Sequence, residues 1–172
     1  LFEPVGKVMH RYYAVLPAQQ SRRTRIGIYP ELQDIPNMIS GEMISASFVD
    51  PLEFALDREF PGDRQHFYPA RMPLMTKHLV DTLKECGVNN LQLFPAVLVD
   101  PLSNARWTDY FAVNIIGAVA SVDFANSDHT NDSVLIRAEF DGFVIDPAKA
   151  GDHRFFRLAE SLGVVIARED LR

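Results

Sequence analysis

Ser45 and Ser47 separate Ile44, Ala46 and Phe48, and this period of two predicts a half-buried strand over residues 44–48. In the next stretch, VDPLEFALDREFPG (49–62), the period changes. Leu52, Ala55, Leu56 and Phe60 fall three or four positions apart, which predicts a helix over residues 50–60. Asp50 suits its cap, Pro51 takes the first helical position where a missing N–H costs nothing, and Glu53 follows the cap by three. Pro61-Gly62 ends it, leaving Glu53, Phe54 and Asp57 toward solvent. A second helix is expected at 76–86, with Thr76 as cap, Met75, Leu79, Leu83 and Cys86 on one face, and Gly87 at its C-terminal end.

The remaining apolar runs read as strands. VMHRYYAVL (8–16) is rich in aromatic and branched residues and stops at Pro17, and the polar QQSRRTR (19–25) then reads as a loop. NLQLFPAVLVD (90–100) is a buried strand in which Pro95 suggests an edge or a bulge. DYFAVNIIGAVASVDF (109–124) is dominated by β-formers, and a helix there would lose about 1 kcal/mol at Gly117, so a long central strand bent at Gly117 is expected. The polar turn NSDHTNDS leads into VLIRAEFDGFVID, where Asp141-Gly142 between Phe140 and Phe143 is a hairpin signal. HRFFRLAESLGVVIAREDLR then predicts two strands about a turn near Gly163 and the start of a helix at Glu169 and Asp170. Hairpins rather than regular crossovers in the second half imply an α+β fold, a mostly antiparallel sheet with a few flanking helices, in a single domain.

Composition narrows the function classes. The 172 residues are 47% hydrophobic with 12 Phe, enough for a sizeable core. A net charge of -6 disfavours binding to nucleic acid in bulk and favours a cationic partner. Cys86 stands alone, which excludes an internal disulfide or a multi-thiolate metal site and suits a reducing compartment such as the cytoplasm. No run reaches the roughly 18 apolar residues of a membrane span. The sequence opens at Leu1 rather than Met, so a removed signal peptide is not testable from it.

Candidate chemistry is sparse. Asp128, His129 and Asp132 are metal-ligand types at short spacing, but no calcium-loop glycine or paired-histidine helix accompanies them, and turns select the same residues. GDHRFFR (151–157) offers His153 and two arginines to an anion, or simply a charged strand start. Cys86, on an apolar helix face near the negative helix end, reads as a buried structural thiol. Arg22, Arg23 and Arg25 form a basic run without interleaved aromatics, and read as a solvated loop. Nothing nominates a nucleophile, and no cofactor or metal is expected. From Asp50 to Asp63 five acids accompany one arginine, either a solubilising face or a docking surface for a basic partner. Asn114 needs hydrogen-bond partners if buried, since an unpaired amide costs about 1–3 kcal/mol. A role in fixing a bulge or a neighbouring loop is the expectation, with Gly117 admitting a close approach.

Three segments in this order, ARMPLMTKHLVDTLKECGVNNLQLFPAVLVD, DYFAVNIIGAVASVDFANS and HRFFRLAESLGVVIAREDLR, resemble the myxobacterial-type immunity protein domain found beside polymorphic toxins, a family first catalogued as a domain of unknown function. The likeness spans residues 70–172, about three fifths of the chain, and is most specific at Asp109, Tyr110, Asn114, Gly117, Asp123 and Ser127. Residues 1–69, a loop-rich variable part, match only through YYAVLP. Thr76 stands where serine is usual, and Ala167 replaces a small polar cap before the last helix. The resemblance implies a non-enzymatic bacterial protein that binds a cognate toxin domain and neutralises it. It also implies that Asp109, Tyr110, Asn114, Gly117 and Asp123 specify the fold. Glu53, Phe54, Asp57, Glu59 and Asp63 on the variable side are then the expected partner-binding residues. Two alternatives stand beside it: an enzyme holding a metal or anion at Asp128, His129, Asp132 or His153, and a homo-oligomeric scaffold.

Overall fold

The computed structural model describes residues 11–15, 24–31, 40–45, 47–69, 72–129 and 140–171. Its larger sheet has six strands: β2 (Ile26–Ile28), β3 (Leu52–Leu56), β4 (Phe67–Tyr68), β5 (Leu74–Thr76), β6 (Leu91–Val99) and β7 (Arg106–Ile115), in the spatial order β2-β3-β6-β7-β5-β4. β1 (Tyr12–Ala14) belongs to a second, four-stranded sheet with β8 (Ala118–Val119), β11 (Phe155–Leu158) and β12 (Ser161–Arg168), ordered β1-β12-β11-β8. β9 (Asp128–His129) and β10 (Phe140–Gly142) form a separate antiparallel pair. Helices α1 (Lys77–Glu85) and α2 (Pro147–Ala150) are few and short against this sheet content, so the fold is α+β and dominated by strands. Among the described residues only β3 on β6 and β11 on β8 pair in parallel, and the other ladders are antiparallel.

Alternation along the strands builds two cores on opposite faces of the six-stranded sheet. Leu52, Phe54 and Leu56 of β3, Phe94, Ala96 and Leu98 of β6, Tyr110 and Ala112 of β7, Leu74 of β5 and Tyr68 of β4 share one cluster. Intervening residues Met75, Val113 and Ile115 turn to the other face and pack with Val80 and Leu83 of α1 and with Phe155 and Val165 of the second sheet. The six-stranded sheet curls. Thr24, just before β2, reaches across to Tyr68 of β4, so the first and last strands meet through side chains and the inner cluster becomes the interior of a nearly closed barrel.

The segment 50–60 is not a helix. Leu52–Leu56 is strand β3, in parallel register with β6 from Leu52 opposite Ala96 to Ala55 opposite Val99. LEFAL satisfies a period of two through Leu52, Phe54 and Leu56 as well as it satisfies a helical stripe, and burial of Phe54 beside β6 decides between them. Residues 44, 45, 47 and 48 form no strand, although Ile44 is buried. Helix α1 occupies its expected place: Thr76 Oγ1 accepts from Leu79 N at 3.3 Å, and Gly87 follows with φ +85. Its buried residues are Val80 and Leu83 rather than the whole anticipated face. Pro95 lies in an interior strand, not at an edge, and the ladder irregularity falls beside it between Ala96 and Leu98.

The predicted long strand 109–124 begins earlier, at Arg106, ends at Ile115 and breaks at Gly117, where φ is +91; beyond the break β8 belongs to the second sheet. Asp141-Gly142 is no hairpin turn, for both residues lie in β10, which pairs with β9; the connection between these strands is outside the described residues. Gly163 lies within β12, and the turn joining β11 to β12 is Ala159-Glu160. The expected terminal helix is a single 3-10 turn, Glu169–Leu171. Only Tyr12–Ala14 of the predicted strand 8–16 is described as strand; its ends and most of the loop 19–25 lie outside the described residues. Arg157, on β11, is 1% exposed, and its Nη1 donates to Leu162 O at 2.8 Å; burial lowers its pKa to about 10, so it remains charged at neutral pH.

Candidate functional site

Where the curled sheet meets itself, polar side chains gather in an otherwise apolar wall. Thr24 Oγ1 donates to Asp63 O at 2.9 Å, which uses its one proton. The 2.8 Å contact between Thr24 Oγ1 and Tyr68 OH is therefore donated by the phenol. Tyr68 OH in turn accepts from Gln65 N at 3.0 Å, and Tyr110 OH donates to Gln65 O at 2.7 Å. Gln65 Nε2 donates to Thr24 O at 3.2 Å. Thus Gln65 is held through its backbone N–H, its carbonyl and its side-chain nitrogen. Its remaining polar atom, Oε1, is buried without a hydrogen-bond partner.

Burial raises the pKa of Tyr68 and of Tyr110 above the ordinary phenol value, so both hydroxyls keep their protons at neutral pH. Arg64 lies over this cluster, 5.6 Å from the Trp107 ring centre and 5.8 Å from that of Tyr110, and donates to Asp109 at 2.7 Å. Beside Gln65 opens a cavity of about 310 Å³ in the seam between the edge strands, its lining drawn from residues 24–29 and 65–69.

The expected partner-binding residues are not presented together. Phe54 is 0% exposed in the barrel interior, so it cannot anchor a partner; its outward placement depended on the helix that β3 replaces. Glu53 stays exposed on the outer face, where its Oε2 accepts from Arg106 at 2.7 Å. Asp57, Glu59 and Asp63 follow β3 in one turn-rich segment beside β2. Asp57 N bonds Arg25 O at 2.9 Å, Asp57 Oδ1 accepts from Glu59 N, and Asp63 O takes the Thr24 proton. Glu59 and Asp63 are exposed; Asp57 adjoins the Arg25 end of β2, while Ile28, 63% exposed and followed by the exposed Tyr29, pairs with Ala55 toward the other end.

Of the residues expected to specify the fold, Asp109, Tyr110 and Asn114 lie on β7, while Gly117 and Asp123 lie outside the strands. Asn114, 0% exposed, faces Gln92 across the ladder from β7 to β6. Its Nδ2 donates to Glu42 O at 2.7 Å and to Gln92 Oε1 at 3.1 Å, while Gln92 bonds both the N–H and the carbonyl of Ile44. Gly117 N adds a bond to Gly41 O at 2.8 Å. The carboxamide pair therefore pins the segment 41–44 over one end of the barrel, although Asn114 Oδ1 itself has no partner. Asp123 caps a 3-10 turn, Phe124–Asn126, through Ala125 N and Asn126 Nδ2.

Of the metal candidates, Asp132 lies outside the described residues, and Asp128 and His129 are backbone partners of β10. His153 packs its ring on Phe156. Among the described residues no group of three or more His, Cys, Asp and Glu side chains gathers. Arg154 bonds Cys86 O and Asp170, tying the end of α1 to the 3-10 turn after β12, and Cys86 is half-buried. Arg25 lies over the Phe60 ring at 4.0 Å. Thr24, Gln65, Tyr68 and Tyr29 escape sequence reasoning because they sit in short, aperiodic segments, and only the closure of the sheet brings them together. Comparison with known proteins finds no family model and no curated protein that matches the chain. No helix among the described residues is long and apolar enough to cross a membrane.

Proposed function

We propose that this chain is an immunity protein, a non-enzymatic binder that acts in the cytoplasm of the producing cell by occupying a cognate toxin domain. The observation that carries the reading is the surface around β2, where Ile28 and Tyr29 are exposed and the segment after β3, bonded to Arg25 through Asp57 N, exposes Glu59 and Asp63. An apolar patch rimmed by charge is how partner surfaces are commonly built: the apolar centre supplies affinity and the carboxylates steer a basic partner. The resemblance of residues 70–172 to the immunity family supports the same reading, with the variable first part supplying the interface. Glu53, already paired with Arg106, contributes less here than Glu59 and Asp63.

Co-expression with the C-terminal domain of the large open reading frame beside its gene tests this. Restored growth with a one-to-one complex on co-purification is the expected result. A Glu59→Lys, Asp63→Lys double variant should weaken that complex at least tenfold while the fold persists. Growth restored without any complex, or no rescue at all, would overturn neutralisation by binding.

A further inference from the structure

We propose that the open edge of β1 is a strand-addition site, at which an extended segment of another polypeptide, alternating apolar and basic residues, inserts between β1 and residues 143–146. Ladder geometry is the starting point. β1 is an outer strand of its sheet, and its ladder partner is β12. Tyr12 lies opposite Arg168, and the flanking bonds run from Glu169 N to Arg11 O and from Val15 N to Val165 O, both at 2.8 Å. Hydrogen-bonded positions alternate along an antiparallel ladder. Arg11, Tyr13 and Val15 therefore face β12, and the N–H and C=O of Tyr12 and Ala14 point to the opposite, open side. Ile145 repeats the pattern. It bridges Val122, and the bonds on either side run from Asp123 N to Val144 O and from Asp146 N to Ser121 O, so the N–H and C=O of Ile145 turn away from Val122.

Tyr12 and Ile145 line one and the same cavity, of about 720 Å³. Two backbone edges bordering one cavity, each with donors and acceptors free of its own ladder, fit a strand laid between them. The side chains of Tyr12 and Ile145 pack on one apolar cluster, which includes Val122, Phe156 and Ile166. An inserted strand would lay every second side chain on that cluster, so those positions are apolar. The intervening positions meet a different surface. Asp146 follows Ile145, and Asp123 follows Val122, in extended backbone, which turns both carboxylates away from the cluster. Both acids line the cavity, and the hydrogen bonds they accept come from neutral groups, Ala125 N, Asn126 Nδ2 and Ala148 N. Against these two carboxylates Arg11 is the single cation of the lining, so the rim favours lysine or arginine at the outward positions and opposes acids. The site shares no residue with the surface around β2 and does not depend on the immunity reading.

The test titrates the full chain with three capped pentapeptides, followed by NMR and amide hydrogen exchange. The first is Val-Lys-Val-Lys-Val. The second replaces both lysines with glutamate, and the third is the first peptide N-methylated at its central valine, which keeps every side chain but removes a main-chain donor. Saturable binding of the first peptide is expected, with exchange slowed at the amides of Tyr12 and Ile145. The glutamate and N-methyl peptides should each bind at least tenfold more weakly. The comparison uses no variant of the protein, so no folding defect can imitate the result. Equal binding of the N-methyl peptide would overturn strand addition, and equal binding of the glutamate peptide would overturn the charge assignment. Exchange slowed only at other segments, or no saturable binding, would overturn the site itself.

Discussion

Asn114 shows how a single polar residue survives in a sheet core. Its amide lies among apolar neighbours on β7, yet it donates to Glu42 O and Gln92 Oε1 and so fixes a segment with no ladder of its own to hold it. Asn114→Ala removes both bonds and leaves Gln92 to hold Ile44 alone. The expected loss is about 1–3 kcal/mol, read as a lower urea midpoint at unchanged slope. Asn114→Asp should be worse, because a carboxylate cannot donate to Glu42 O. If the alanine variant were as stable as the parent, the segment 41–44 would owe its place to other contacts. The sequence marked Asn114 as a polar residue in need of partners, because an interrupted apolar run is visible in one dimension. It did not mark Gln65, whose partners lie on Thr24, Tyr68 and Tyr110 and come within reach only through the fold.

At the scale of elements, three Asp-Pro pairs met three fates. Asp146-Pro147 starts α2, with Asp146 Oδ1 accepting from Ala148 N at 2.9 Å. Asp100-Pro101 starts a turn, with Asp100 accepting from Leu102 N and Ser103 Oγ. Asp50-Pro51 leads straight into β3. The Asp-Pro pair was the same in all three, so it could not choose among them. The choice at 50–51 came from the neighbour: β6 supplies a parallel ladder and an apolar wall for Phe54. A mutational pair separates strand from helix. Phe54→Ala should cost about 3–5 kcal/mol as a cavity in the core, while Glu53→Ala, one residue away and exposed, should cost under about 1 kcal/mol despite its ion pair. Similar small losses at both positions would indicate the solvent-facing helix instead. α1 stood in the sequence through its apolar face, and β6 and β7 through the β-forming residues of their apolar runs, although β7 spans Arg106–Ile115 rather than 109–124. Where five residues fitted both periods, only tertiary pairing resolved them.

For the molecule as a whole, the seam is the least redundant part of the architecture. β2 and β4 are joined through Thr24, Gln65, Tyr68 and Tyr110 rather than by a backbone ladder, and two of these four are phenols. Burial is the largest cause raising Tyr110, with the neighbouring Tyr68 next, and burial likewise raises Tyr68. An acid whose folded-state pKa exceeds its unfolded value of about 10 keeps its proton longer when folded. The folded state then binds more protons than the unfolded chain, so stability is fully present below that unfolded value and falls as pH rises beyond it. Unfolding midpoints between pH 8 and 11 should therefore be flat at first and decline above about 10. Tyr110→Phe loses its bond to Gln65 O and should start less stable at pH 8, by about 1 kcal/mol, but its decline above pH 10 should be shallower because one buried phenol no longer titrates. The differing slopes, not the differing offsets, carry the test. Parallel curves for parent and variant would mean that alkaline unfolding is governed elsewhere, and that the seam is not where the barrel first opens.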